Sequence, residues 1–140
     1  MRDLAQAMPL SFDDAQEAIE RAHAKAAALG VKVTAVVVDE GGFLVALGRM
    51  DGAVPLSPQI AEAKAVGAAM FQRDGGWLAQ TAQDRPGFFH AVDRLVRTPL
   101  IPGPGSVTIQ REGKVVGAIG VSGARPEQDL ECAEAGALST

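Results

Sequence analysis

The sequence contains no tyrosine, one tryptophan, one cysteine and two histidines. Without tyrosine there is no phenolic acid and no tyrosinate ligand. One cysteine excludes an intrachain disulfide and any zinc site built on several thiolates. His23 and His90 stand far apart, so no local His-x-x-x-His metal pair exists. No donor cluster with metal-ligand spacing is expected. Positive charge is also in short supply. Lys and Arg number 13 against 17 Asp and Glu, a net charge of −4, and the pI is near 5.1. That argues against a nucleic-acid binder that works by phosphate neutralisation. No stretch approaches the roughly 18 apolar residues of a membrane span. Met1–Gln6 carries an acid and has no apolar core, so a secretory signal is not expected. With a single thiol as well, the expected location is the cytoplasm.

What is abundant is small and apolar. There are 16 glycines, and the apolar set is 47% although aromatics are only 4%. With 21% charged residues, this is the composition of a globular chain. Its 140 residues have the size of one domain, taken as 1–140.

Leu4–Pro9 reads as a lead-in. Ser11 reads as an N-cap with Asp13 and Asp14 in the first turn. Phe12, Ala15, Ile19, Ala22, Ala26 and Leu29 fall on one stripe of a helix that Gly30 closes, with His23 at the stripe's flank. Val31–Asp39 is β-branched and apolar, a strand covered on both faces. Glu40-Gly41-Gly42 turns the chain into Phe43–Met50, completing a hairpin. Ser57-Pro58 reads as an N-cap and first-turn proline of a buried helix ending near Phe71. Arg73–Arg97 holds one or two helical pieces, broken at Gly75-Gly76 and Pro86-Gly87, with Trp77, Phe88 and Phe89 expected in the core. Ser106–Arg111 and Val115–Ser122 form a second hairpin, and a last helix runs from about Pro126 to Leu138. The order α-β-β-α-α-β-β-α, with two hairpins, predicts an α+β fold with an antiparallel sheet.

Several residues stand out chemically. Gly117–Gly123 is glycine-rich but lies within a hairpin strand, so it is not a dinucleotide turn. Small residues there admit a helix, a ligand or another subunit against the sheet. Ser122-Gly123 precedes the last helix, where backbone N–H groups meet anions. Ser122 is no nucleophile elbow, because no histidine follows it. Lys64 sits in an apolar helix, either as a structural ion pair or as a cation in a pocket. Asp39 reads as a local turn acceptor. Arg49 and Asp51 belong with the loop before Lys64's helix, at the far end of the hairpin from Asp39.

Three motifs carry a resemblance: Arg49-Met50-Asp51-Gly52-Ala53, Ser57…Ala61…Lys64-Ala65…Ala68, and Val116–Ala124…Gln128-Asp129. With the opening helix and Val33–Asp39 they make the chain similar, over nearly its whole length, to the GlcG/HbpS-like family. That family includes the C-terminal domain of PduO-type corrinoid adenosyltransferases. The resemblance implies a profilin-like α/β sandwich and compact homo-oligomers, up to octamers. It also implies haem binding in some members and roles in haem degradation, redox sensing or diol and glycolate catabolism. By motif it marks Arg49, Asp51, Ser57, Lys64, Gly120, Ser122 and Gly123 as ligand-binding residues, and it marks the first-helix His23 as an axial haem donor. One departure is Gly103-Pro104-Gly105-Ser106-Val107, where relatives show Gly-Gly-x-Pro-[Ile/Leu].

Three readings stay open. The first is a haem- or tetrapyrrole-binding accessory protein, whose donors are limited to His23, His90, Met8, Met50, Met70 and Cys132. The second is an isomerase, hydratase or lyase for a carboxylate metabolite, with Lys64 and Arg49 holding the acid and Asp51 as base. The third is an oligomeric assembly or regulatory protein without a small ligand.

Overall fold

The computed structural model describes residues 8–138. The expected N-terminal features at Met1–Gln6, and the part of the lead-in at residues 4–7, lie outside the described residues.

Helix α1 spans Phe12–Leu29 and starts and stops where its capping chemistry demands. Asp14 N–H donates to Ser11 Oγ at 3.0 Å, and Ser11 N–H donates to Asp14 Oδ2 at 3.2 Å, a reciprocal box. Gly30, at φ 75°, donates its N–H back to Ala26 and Ala27. Strands β1 (Thr34–Asp39) and β2 (Leu44–Arg49) form the first hairpin. Asp39 Oδ1 accepts from Gly41 N–H at 2.9 Å and Phe43 N–H at 3.0 Å, so it is the local acceptor of the turn. Helix α2 (Ser57–Phe71), α3 (Gly75–Asp84) and α4 (Pro86–Asp93) follow. Then come β3 (Ser106–Arg111), β4 (Lys114–Ser122) and α5 (Pro126–Ala137).

The four strands make one antiparallel sheet in the order β2-β1-β4-β3. The two central strands are covered on both faces. Alternation sends Val36, Val38 and Ala118 toward α2, α3 and α4. It sends Ala35, Val37, Ile119 and Val121 toward α1 and α5. The α+β class expected from two hairpins is therefore the class observed, with helices on both sides of the sheet.

Three local expectations need correction. Ser57 is not an N-cap. Leu56 holds that place in helical backbone (φ −79°, ψ −12°), and Ser57 is already inside the helix. Its hydroxyl donates to Val54 O at 2.6 Å and meets Thr34 Oγ1 at 2.8 Å. Gly75-Gly76 does not break a helix but starts α3. A side chain at Gly75 would run into the Gly103 carbonyl, so glycine lets the helix begin against that loop. Finally, of the three aromatics expected in the core, only Phe89 is buried. Trp77 and Phe88 are 40% and 39% exposed. They lie beside Phe71 with Arg73 and Arg85 over their rings, so the guanidinium stems supply cover that the core does not.

Candidate functional site

The ladder register gathers one end of the sheet. Thr34 pairs with Arg49 on one side and with Ser122 on the other, so three strands end together there. Helix α2 lies across this end because β4 has no side chain at Gly120. A Cβ at Gly120 would strike the Ala61 carbonyl oxygen and come within 2.7 Å of Ala65 N. Two of the motif residues, Gly120 and Ser57, thus act as packing elements that seat α2 on the sheet. Ser57 ties the start of α2 to β1 through Thr34.

Lys64 projects from the middle of α2 and is 8% exposed. Its ammonium donates to Val121 O at 3.0 Å and to Asp129 Oδ2 at 3.3 Å. Asp129 is 3% exposed and lies in the first turn of α5, on the other side of the sheet. Gly105 gives the ammonium room, since a Cβ there would lie 2.8 Å from Nζ. Asp129 Oδ1 also accepts from Ala124 N–H at 3.0 Å. Burial pushes the Asp129 carboxyl above the usual carboxylate range, while the Lys64 charge and the Ala124 N–H pull it down. This pair joins both helical layers and fixes the Ser122–Ala124 turn. Gly123, at φ 135°, lies in that turn, where a Cβ would come within 2.7 Å of Lys32 O.

The remaining candidates do not converge on that ammonium. Arg49 directs Nε and Nη2 to Ala53 O, at 3.3 and 2.8 Å. Asp51 is exposed on the turn that follows β2. His23 lies across the sheet from Lys64, on α1. Its Nε2 is 3.0 Å from Gly48 O. Because a carbonyl only accepts, the proton is on Nε2. Beside it, a groove of about 240 Å³ between α1 and β2 is lined by Phe12, Ile19, Ala46 and Leu47, among others.

Of the other donor atoms, those of Met8 and Met70 belong to residues 57% and 48% exposed, while Cys132 and Met50 are closed off. Cys132 is fully buried, and burial with neighbouring acids pushes its thiol up to about 11. Met50 Sδ accepts from Val33 N–H at 3.5 Å. Among the described residues there is no group of three or more His, Cys, Asp or Glu that could hold a metal ion.

Sequence reasoning did not place Thr34, Gly105 or Asp129 in the site. The signals for Asp129 were its place in the third motif and an acid in the first turn after Ser122-Gly123, with a buried lysine still lacking a partner.

Corrinoid adenosyltransferase PduO of Citrobacter freundii is 30% identical over 129 residues, 91% of this chain and 38% of that protein. The chain therefore spans less than half of that relative's length. The crystal structure of a PduOC:heme complex superposes with a TM-score of 0.81 at 26% identity, covering 93% of this chain and 94% of that one. HbpS of Streptomyces reticuli, solved as a double mutant, gives a TM-score of 0.84 at 28% identity, covering 98% and 92%. Residues 10–138 match one family profile, and the chain belongs to that family, the haem degrading protein HbpS-like proteins.

Proposed function

We propose that this protein binds haem or a related tetrapyrrole as a cytoplasmic, homo-oligomeric accessory protein of a catabolic pathway. The observation that carries the reading is the likeness to the PduOC:heme complex along 93% of the chain.

The residues present fit the group in one specific way. Imidazole donors stand at His23, whose ring meets Gly48 at the groove between α1 and β2, and at His90, which lines a mixed polar and apolar groove with Phe89, Asp93 and Leu100. The grooves, about 240 and 260 Å³, lie below the roughly 300–1,000 Å³ of pockets that enclose a drug-sized ligand. A tetrapyrrole would lie across a groove, and a second subunit would cover its outer face. Exposed apolar side chains suit such a role: Phe12, Leu44 and Leu47 are 56%, 51% and 43% exposed near the edge strand β2. At the sheet end, Arg49 and Asp51 are the exposed polar members for ligand contact, while Ser57, Lys64, Gly120, Ser122 and Gly123 shape the frame. Bound haem supplies a redox-active iron tuned by its donor and by the polarity around it.

The enzyme reading has weaker support. Its cation, Lys64, is engaged by Val121 and Asp129, and its base, Asp51, stands apart from it on an exposed turn.

The test is titration of the purified chain with haemin, followed by native mass spectrometry of the product. A saturable Soret band and an oligomer retaining haem at fixed stoichiometry are expected. Absence of a saturable band overturns the reading.

A further inference from the structure

We infer that the face built from α3, α4, the end of α2 and the β1–β2 turn docks an acidic protein segment that also carries aromatic or aliphatic side chains. This face does not depend on the haem reading, since it lies across the sheet from α1 and His23.

Residues 70–97 carry four arginines and three aspartates, in a chain whose net charge is −4. The three acids are engaged within the fold. Asp74 Oδ1 accepts from Thr108 N–H at 2.9 Å, Asp84 Oδ1 from Gln80 Nε2 at 2.9 Å, and Asp93 Oδ1 from Leu100 N–H at 2.7 Å. The arginines, Arg73, Arg85, Arg94 and Arg97, are all exposed, and none forms an ion pair among the described residues.

Aromatic rings run between these charges. Arg73 lies over Trp77 at 5.4 Å, and Trp77 meets Phe71 at 5.5 Å. Phe71 meets Phe88 at 6.5 Å, and Arg85 lies over Phe88 at 4.1 Å. The β1–β2 turn adds Phe43, with Arg97 over its ring at 4.1 Å and donating to Gly41 O at 3.4 Å. Met70, the residue before Phe71, reaches the same turn, because a Cβ at Gly42 would lie 3.3 Å from its Sδ.

A guanidinium over a ring gives the ring cover. Two features here go beyond cover. Phe43, Met70 and Leu95 remain exposed, Leu95 at 83%, and every guanidinium lacks a carboxylate. Apolar side chains within a polar rim mark protein interaction sites. Trp, Phe, Met and Arg are also the residue types enriched there. Charge complementarity then names the partner. Carboxylates match the guanidinium fork, and apolar side chains beside them would dry the contact and strengthen it. A nucleic acid fits less well. One face of Trp77 and one of Phe88, where a base would stack, already carry a guanidinium, and the chain's net negative charge repels a dense polyanion.

The experiment selects binders to the purified full chain from a random dodecapeptide library displayed on phage. Recovered peptides are then measured as fluorescent synthetic copies by anisotropy. Peptides rich in Asp and Glu together with Trp, Phe or Leu are expected, binding more weakly as salt rises. The double variant Arg73→Glu, Arg85→Glu should weaken binding by at least roughly tenfold. Arg125→Glu, at the start of α5, should stay within about twofold of wild type. If the double variant does not fold, judged by circular dichroism, Arg94→Glu, at an exposed position, decides in its place. Failure to recover an acidic and apolar consensus overturns the inference, as do binders indifferent to the arginine variants. Tighter binding of labelled oligothymidylate than of the peptides overturns it in favour of a nucleic acid. Dissociation of the wild-type assembly by the arginine variant, read by sedimentation velocity, also overturns it, because the face is then buried between copies of the chain.

Discussion

Replacing Lys64 with methionine removes one half of a buried pair and leaves the other half in place. The two side chains are 10% and 5% exposed, and the ammonium donates to Val121 O as well as to Asp129. After Lys64→Met, the Asp129 carboxylate keeps Ala124 N–H as its partner. Breaking a buried pair from one side costs about 3–5 kcal/mol. An exposed pair costs about 0–1 kcal/mol. The buried figure applies here because water reaches neither group well. The loss also has a predicted pH dependence. Burial already raises the Asp129 carboxyl, and losing the Lys64 charge raises it further. The folded variant then binds a proton more readily than the unfolded chain does. Its stability falls as pH rises through that window, so the penalty is full at pH 7 and mostly gone near the ordinary carboxylate value of about 4. Adding Asp129→Leu should bring stability back to within about 1 kcal/mol of wild type, since apolar replacement of both partners is often neutral. The assay is urea unfolding followed by the fluorescence of Trp77, the single tryptophan, at one protein concentration. A pH 7 loss below about 1 kcal/mol refutes the reasoning. So does a double variant whose loss equals the sum of the single losses.

Gly120→Ala should destabilise by roughly 1–3 kcal/mol, because the new methyl group meets the α2 backbone at Ala61 and Ala65. A melting temperature equal to wild type would show that α2 can lift off the sheet freely. Gly76→Ala should act in the opposite direction, raising stability by about 0.4–1 kcal/mol, since no atom beyond its neighbours and its own helix backbone lies within 4 Å of the added Cβ and the residue is helical. A lower melting temperature than wild type would contradict that. Cys132, buried and with its thiol pushed up to about 11, should resist a thiol reagent at pH 8 in the native protein and react only on unfolding. Rapid native labelling would count against the packing of α5 on α1.

Local chemistry in the sequence was enough for the elements whose ends carry their own partners. Ser11, Asp14 and Gly30 bound α1 because each hydrogen-bond partner lies within five residues. Asp39 was recognisable for the same reason. The two hairpins followed from turn residues between β-branched runs. Reading failed at Ser57, where a residue suited to capping is drawn instead to Thr34, 23 positions away. It also failed at Gly75, whose role is set by a loop at Gly103.

The sequence by itself determined the α+β class, the antiparallel hairpins, and the oddity of Lys64 in an apolar helix. Those are consequences of periodicity, turn chemistry and the cost of burying charge, all legible from neighbours along the chain. Only the tertiary structure decided what Lys64 and His23 touch, and that the two lie on opposite sides of the sheet. Asp129 is 65 positions from Lys64, and Gly48 is 25 from His23. Contacts at such separations are set by strand register and helix packing, which no local pattern encodes.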